Sequence, residues 1–230
     1  MEFRSYCFVD GEPLGLPIVV AFLRLGRKYE IEQLRSEALQ RLTHDYPPTL
    51  DRYDNIRTYL ISRGDIDLDL FFFTIINLAR KYDILSILPI AFLGLCLYCY
   101  DIKGMVDAFE KYDQSPHSLS LPDQRVLLKG YSSLTNKLIK TQYTLGWLKD
   151  YTHQECSNSR RQIAMKYLPP QPAHMALAEW ENWKEHMKYH LCRVCISKAE
   201  EQHNEGRREV WNELPSDFGL PEWGELVKGL

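Results

Sequence analysis

Four residues in the C-terminal third of the chain have the chemistry of a metal site. Cys192-Arg193-Val194-Cys195 is a C-x-x-C pair, whose thiolates can share one metal ion or close into a redox disulfide. His153 and Cys156 lie upstream, three residues apart, which on a helix is close to one turn. A structural zinc needs four N or S ligands in a tetrahedron. Cys156, Cys192 and Cys195 supply three, and His153 is the convenient fourth. If the chain is helical from Leu191 onward, Cys192 and Cys195 fall about 60° apart on one face and one turn apart in height, so both sulfurs reach a common point. His186 and His190, at i and i+4, give a second pair of imidazoles able to meet one ion. His203 fits less well, because a continuing helix carries it about 12 Å past Cys195. The competing reading makes these cysteines small packing hydrophobes, and no second C-x-x-C is present to decide the matter. Cys96 and Cys99 lie in an apolar run and read as core.

No other chemistry is marked. The sequence lacks G-x-S-x-G, G-x-G-x-x-G, the phosphate-cradling G-x-x-x-x-G-K-S/T and H-E-x-x-H, so no catalytic residue and no organic cofactor can be nominated. The 28 basic and 31 acidic residues give a net charge of −3, which argues against nucleic acid as a partner. Arg160-Arg161 and Arg207-Arg208 are read as solvated faces. The longest uncharged run, Ile84 to Tyr100, is short for a membrane span and contains Pro89. No N-x-S/T sequon and no signal-peptide pattern occur, so the six cysteines (7, 96, 99, 156, 192, 195) are expected to stay reduced in cytoplasm or nucleus.

The elements that must position these residues are helical. Hydrophobic residues make up 45% of the 230 residues and charged residues 26%, an ordinary globular balance. Ile18, Phe22, Leu25 and Tyr29 form one stripe of a helix opened by Pro17, and Ile31, Leu34, Ala38 and Leu42 another, with Glu32, Arg35, Glu37 and Arg41 turned outward. Further helices are predicted from Thr49 to about Leu60, Leu68 to Lys81, Pro89 to Tyr98, Asp101 to Tyr112, Leu121 to Asp150 and Met175 to Ala199. Leu68 to Lys81 is apolar on nearly every side and belongs inside a bundle. Ser120 and Asp123 are spaced like a capping box. Thr152 to Pro172 breaks the periodicity and reads as a boundary. Trp180, Trp183, Trp211 and Trp223 read as the core of a small C-terminal module. The single strand candidate is Ser5 to Val9, before the Asp10-Gly11 turn. The predicted class is all-α.

Three stretches resemble fungal (basidiomycete-type) BTB/POZ domain proteins. Leu23-Arg24-Leu25-Gly26-Arg27-Lys28-Tyr29-Glu30-Ile31, continuing through Leu34-Arg35 and Ala38-Leu39-Gln40-Arg41-Leu42, is similar to the last two helices of a BTB domain. Ile76-Asn77-Leu78-Ala79-Arg80-Lys81-Tyr82 through Ile87-Leu88-Pro89-Ile90-Ala91-Phe92 resembles the helical extension of those proteins. Leu191 to Cys195, Gly206-Arg207 and Trp211 to Trp223 are similar to their C-terminus. The resemblance implies a BTB remnant over 1–46, a helical extension over 47–150 and a Cys/His-containing helical module over 151–230. It starts near the end of a BTB domain, so the strands and most of the dimer surface of that fold are missing, as in a fragment or a shortened relative. Phe22, Leu25 and Leu34 are then expected to lose cover.

The resemblance implies a non-enzymatic adaptor whose partners are other proteins, with self-association open. Two alternatives stand beside it. One is a metal- or redox-dependent protein using Cys192 and Cys195. The other is a zinc-module nucleic-acid binder, which would show a steep salt dependence.

Overall fold

A computed structural model describes residues 8–9, 12–13, 15–61, 67–99, 101–138, 140, 142–150, 153–167, 176–182 and 191–229. The class is all-α. Two-residue strands β1 (Phe8–Val9) and β2 (Glu12–Pro13) pair antiparallel and are the only strands among the described residues. The first of them overlaps the strand expected at Ser5 to Val9. Helices α1 (Leu16–Tyr29), α2 (Glu32–Asp45), α3 (Leu50–Ile61), α4 (Leu68–Tyr82), α5 (Leu88–Tyr98) and α6 (Ile102–Lys111) follow. Then come α7 (Leu121–Leu138), α8 (Gln154–Tyr167), α9 (Arg193–Asp217) and the single turn α10 (Trp223–Leu226). Among the described residues no single helix is long and apolar enough to cross a membrane. The chain forms two compact units, Met1–Ala91 with Trp223–Leu230, and Phe92–Glu222.

In the first unit, α1 lies against α2. The buried face of α1 is Val19, Leu23 and Gly26, not the stripe of Ile18, Phe22, Leu25 and Tyr29 that periodicity selects. Both are valid apolar rows, and Gly26 decides between them. A Cβ there would sit 3.0 Å from the Arg35 amide nitrogen, so only glycine lets the helices come this close. Ile18, Leu25, Tyr29 and Ile31 are left exposed. Of the three residues expected to lose cover, Leu25 does, while Phe22 and Leu34 are half-buried.

Glu37 and Arg41, expected outside, are buried on α2. Arg41 shares a small cavity with Leu16, Val19, Phe71 and Ile75, so α2 is covered by α4 as well as α1. Its Nη2 pairs with Asp45 at 2.9 Å, one turn along the same helix. Helix α4 buries Phe71, Phe72, Phe73, Ile75, Ile76, Leu78 and Ala79, as expected of an all-round apolar helix.

In the second unit the Ser120 hydroxyl accepts from the Asp123 amide at 3.2 Å and donates to its carboxylate at 2.7 Å, which caps α7. That helix stops at Leu138 rather than running to Asp150. Tyr143 to Leu148 are all buried, and a 3-10 turn, Gly146–Lys149, ends the segment. Two threonines, a tyrosine and a glycine among residues 141–146 weaken helix propensity there, while burial of residues 143–148 rewards a compact turn. Trp147 in this turn meets Trp180 edge-on at 5.7 Å. Trp211 is also buried, whereas Trp223 belongs to the first unit, so the expected tryptophan core is divided. Trp183 lies outside the described residues.

Helix α9 packs on both the 3-10 turn and α7. Lys137 on α7 is held by Asp217 at 2.7 Å and Glu213 at 2.7 Å on α9. Tyr143 donates to Glu213 at 2.9 Å and Ser133 to Asp217 at 2.7 Å. The end of α9 is a left-handed cap. Gly219 takes φ +64°, and the amides of Gly219 and Leu220 reach back to the Ser216 and Pro215 carbonyls at 3.0 and 2.9 Å.

Candidate metal centre

The two ligand pairs occupy the same place on two helices. His153 immediately precedes α8 and Cys156 is that helix's third residue, with the Cys156 amide donating to the His153 carbonyl at 3.1 Å. Cys192 is the N-cap of α9, with extended backbone (φ −70°, ψ 160°), and Cys195 is its third residue. The helix expected from Met175 to Ala199 is interrupted at residues 178–180, and Leu191 and Cys192 precede the helix that begins at Arg193. The change brings the pair together rather than apart, because an N-cap side chain folds back over the third residue of its helix.

The His153 ring nitrogen and the sulfurs of Cys156, Cys192 and Cys195 all lie within 4.8 Å of one another. Tetrahedral zinc with Zn–S bonds of about 2.3 Å needs sulfurs about 3.8 Å apart. Closing the gap takes about 1 Å at most, a side-chain adjustment. Cys156 and Cys195 are buried, Cys192 and His153 exposed, so the cluster sits at the surface with its deeper half enclosed. His186 and His190 lie outside the described residues.

Electrostatics favour negative charge at this point. Two helix N-termini converge, each carrying roughly half a positive charge. The Cys192 amide donates to the Cys156 sulfur at 3.4 Å. The Cys195 amide is the chief cause of a Cys192 thiol held below its ordinary pKa. Burial pushes the Cys195 thiol up, and hydrogen bonding from Arg160 offsets part of that. In metal-free protein, then, iodoacetamide should modify Cys192 well before Cys156, Cys195 or the fully buried Cys96, because the thiolate is the nucleophile and access controls the rate. Peptide mapping after partial alkylation checks the order, and faster labelling of Cys195 would contradict it.

Arg160 and Arg207 depart from the solvated faces expected of their two basic pairs. Both are buried. Arg160 donates to the Trp147 carbonyl at 2.6 Å and Arg207 to the Leu177 carbonyl at 3.2 Å. Arg161 and Arg208 do face solvent. Arg160 follows Cys156 by four residues, so the helical spacing itself carries the signal that it shares the ligand face.

His203 is no part of the cluster. It is fully buried, its Nε2 2.8 Å from the Ala178 carbonyl and its ring edge-on to Trp180 at 5.3 Å. Burial, more than the neighbouring Arg207 charge, lowers its pKa to about 4. An unfolded histidine takes a proton below about 6.5, whereas the folded one resists until about pH 4. Between those values the unfolded state binds the extra proton, so stability falls with falling pH, by about 3 kcal/mol over the window. Urea midpoints at pH 7 and pH 4.5 should show this slope flattened in His203→Gln, since all other titrating groups are shared. An unchanged slope would rule the contribution out.

No family model, no curated protein and no solved structure matches the chain. What the cluster can do must be read from its own atoms. Three thiols and an imidazole fill every position of a tetrahedron, which is the pattern of a structural site rather than a catalytic one with an open position.

Proposed function

We propose that this chain is a non-enzymatic protein-interaction adaptor whose C-terminal part is held by one structural zinc ion on His153, Cys156, Cys192 and Cys195. The observation that carries the zinc reading is the convergence of four ligand atoms of two helix N-termini within 4.8 Å. The soft donor set favours zinc over magnesium or calcium. Thiol ligands need a reducing compartment, which fits cytoplasm or nucleus. The adaptor reading draws on the resemblance of three stretches to fungal BTB/POZ proteins. The exposed Ile18, Leu25, Tyr29 and Ile31 of the α1–α2 hairpin also supply apolar side chains of the kind a docking face uses.

Metal analysis of protein purified without added metal tests the first part. One zinc per chain, and a cobalt-substituted form with thiolate-to-cobalt charge-transfer bands, is the expected result. A metal-free chain in which Cys192 and Cys195 cycle between dithiol and disulfide would replace it with the redox reading. For the second part, Leu25→Asp combined with Tyr29→Asp should lose the proteins that co-purify with the wild type. Retention of the full set in a folded double variant would exclude that face.

A further inference from the structure

One turn deeper than the ligands, α8 and α9 are tied together a second time. Arg160 stands four residues after Cys156 on α8, and Lys198 three residues after Cys195 on α9, so each cation shares a face with the ligand of its own helix. Both reach one carboxylate. Asp150 Oδ2 lies 2.9 Å from Lys198 Nζ and 3.6 Å from Arg160 Nη1. Asp150 itself is anchored as the C-cap of the 3-10 turn, its amide donating to the Trp147 carbonyl at 3.2 Å. That carbonyl also receives Arg160. The side chains of Arg160 and Asp150 are 2% and 9% exposed, so this contact is shielded from solvent, whereas Lys198 closes it from outside at 48%.

We propose, on the strength of the zinc reading, that Asp150 is a positioning residue of the metal centre, gripping α8 through Arg160 and α9 through Lys198 so that the two helix N-termini are held together before the ion binds. It acts in this role through the two cations and not as a ligand. A site whose ligands must first be gathered loses part of its binding free energy to ordering them, and a preorganised one does not. Partners one shell beyond the ligands are worth about 10- to 100-fold in metal affinity.

The test is the zinc affinity of the full chain, measured by competition with a chelator of known affinity. Asp150→Asn should weaken it about 10- to 100-fold, while the cobalt spectrum keeps its shape because all four ligands remain. Asp150→Glu should recover part of the loss. Asp217→Asn is the stability control. It breaks the Lys137 network between α7 and α9 without touching α8, so it should lower the melting temperature but leave affinity within about twofold of wild type. Lys198→Met removes the solvent-side arm, keeps the fold, and should weaken binding by a smaller factor in the same direction. Wild-type affinity in both Asp150→Asn and Lys198→Met would overturn the proposal, as would an equal loss in Asp217→Asn. Should Asp150→Asn fail to fold, Lys198→Met against Asp217→Asn decides alone. A wild-type chain that takes up neither zinc nor cobalt would instead refute the zinc reading itself.

Discussion

Cys195→Ser is expected to lower the urea midpoint of the zinc-loaded protein more than loss of either exposed ligand, Cys192 or His153. A serine hydroxyl stays protonated at neutral pH, so the donor set drops to three and the ion loses one of its two enclosed sulfurs. Cys195 is buried on the third residue of α9, where no water can reach the vacant position without entering the core. Cys192→Ser should cost less because Cys192 is exposed, and His153→Ala least, since water can replace an exposed imidazole. The size follows from mass action. With zinc about a thousandfold above its dissociation constant, binding to the folded state alone adds about 4 kcal/mol, all of which a strong chelator removes. Mild acid acts in the same direction, because the ligands must be deprotonated to bind. A wild-type midpoint that ignores chelator would defeat this expectation.

Gly206→Ala carries the other large effect. On propensity alone, alanine in a helix interior should stabilise by about 1 kcal/mol. The structure reverses the sign. A Cβ at this position of α9 would lie 2.5 Å from the Thr144 amide nitrogen and 2.6 Å from the Tyr143 carbonyl oxygen, and closer still to the Tyr143 carbonyl carbon. These are backbone atoms of a segment whose residues 143–148 are all buried, so no side chain can swing aside. Relief requires pushing the 3-10 turn off α9, at a cost at the top of the overpacking range, about 3 kcal/mol. Chemical denaturation of the variant is the measurement. A stabilised Gly206→Ala would mean that α9 does not approach Tyr143 and Thr144 this closely.

The all-α class was legible because most helices advertise themselves by apolar periodicity or by capping residues. Pro17, Ser120-Asp123 and Asp101 all mark helix starts that the structure has. Helix α8 was not legible. Its inward row is Cys156, Arg160, Ile163 and Ala164, a stripe in which a thiol, a guanidinium and a methyl replace the large hydrophobes that pattern reading relies on. The segment therefore looked like a boundary. The choice between two apolar rows on α1 was equally hidden, because it depends on how near α2 can come at Gly26. The ligand quartet, by contrast, could be named from residue type and spacing, although the helix assumed for Cys192 starts after it. The Asp150 clamp required the fold, since Asp150 lies before the start of α8 and 48 residues from Lys198 in sequence.

The separation between the ligand pairs bears on the order in which the chain folds. Cys156 and Cys192 are 36 residues apart, so an ion shared between them closes a long loop. A cross-link of that span removes about 4 kcal/mol of chain entropy from the unfolded ensemble on the usual polymer argument. Each pair alone, by contrast, is local to one helix start and closes almost nothing. Zinc arriving early would therefore be captured first by Cys192 and Cys195. The His153–Cys156 half would join only as the 3-10 turn docks, making metal uptake a clock for that docking step.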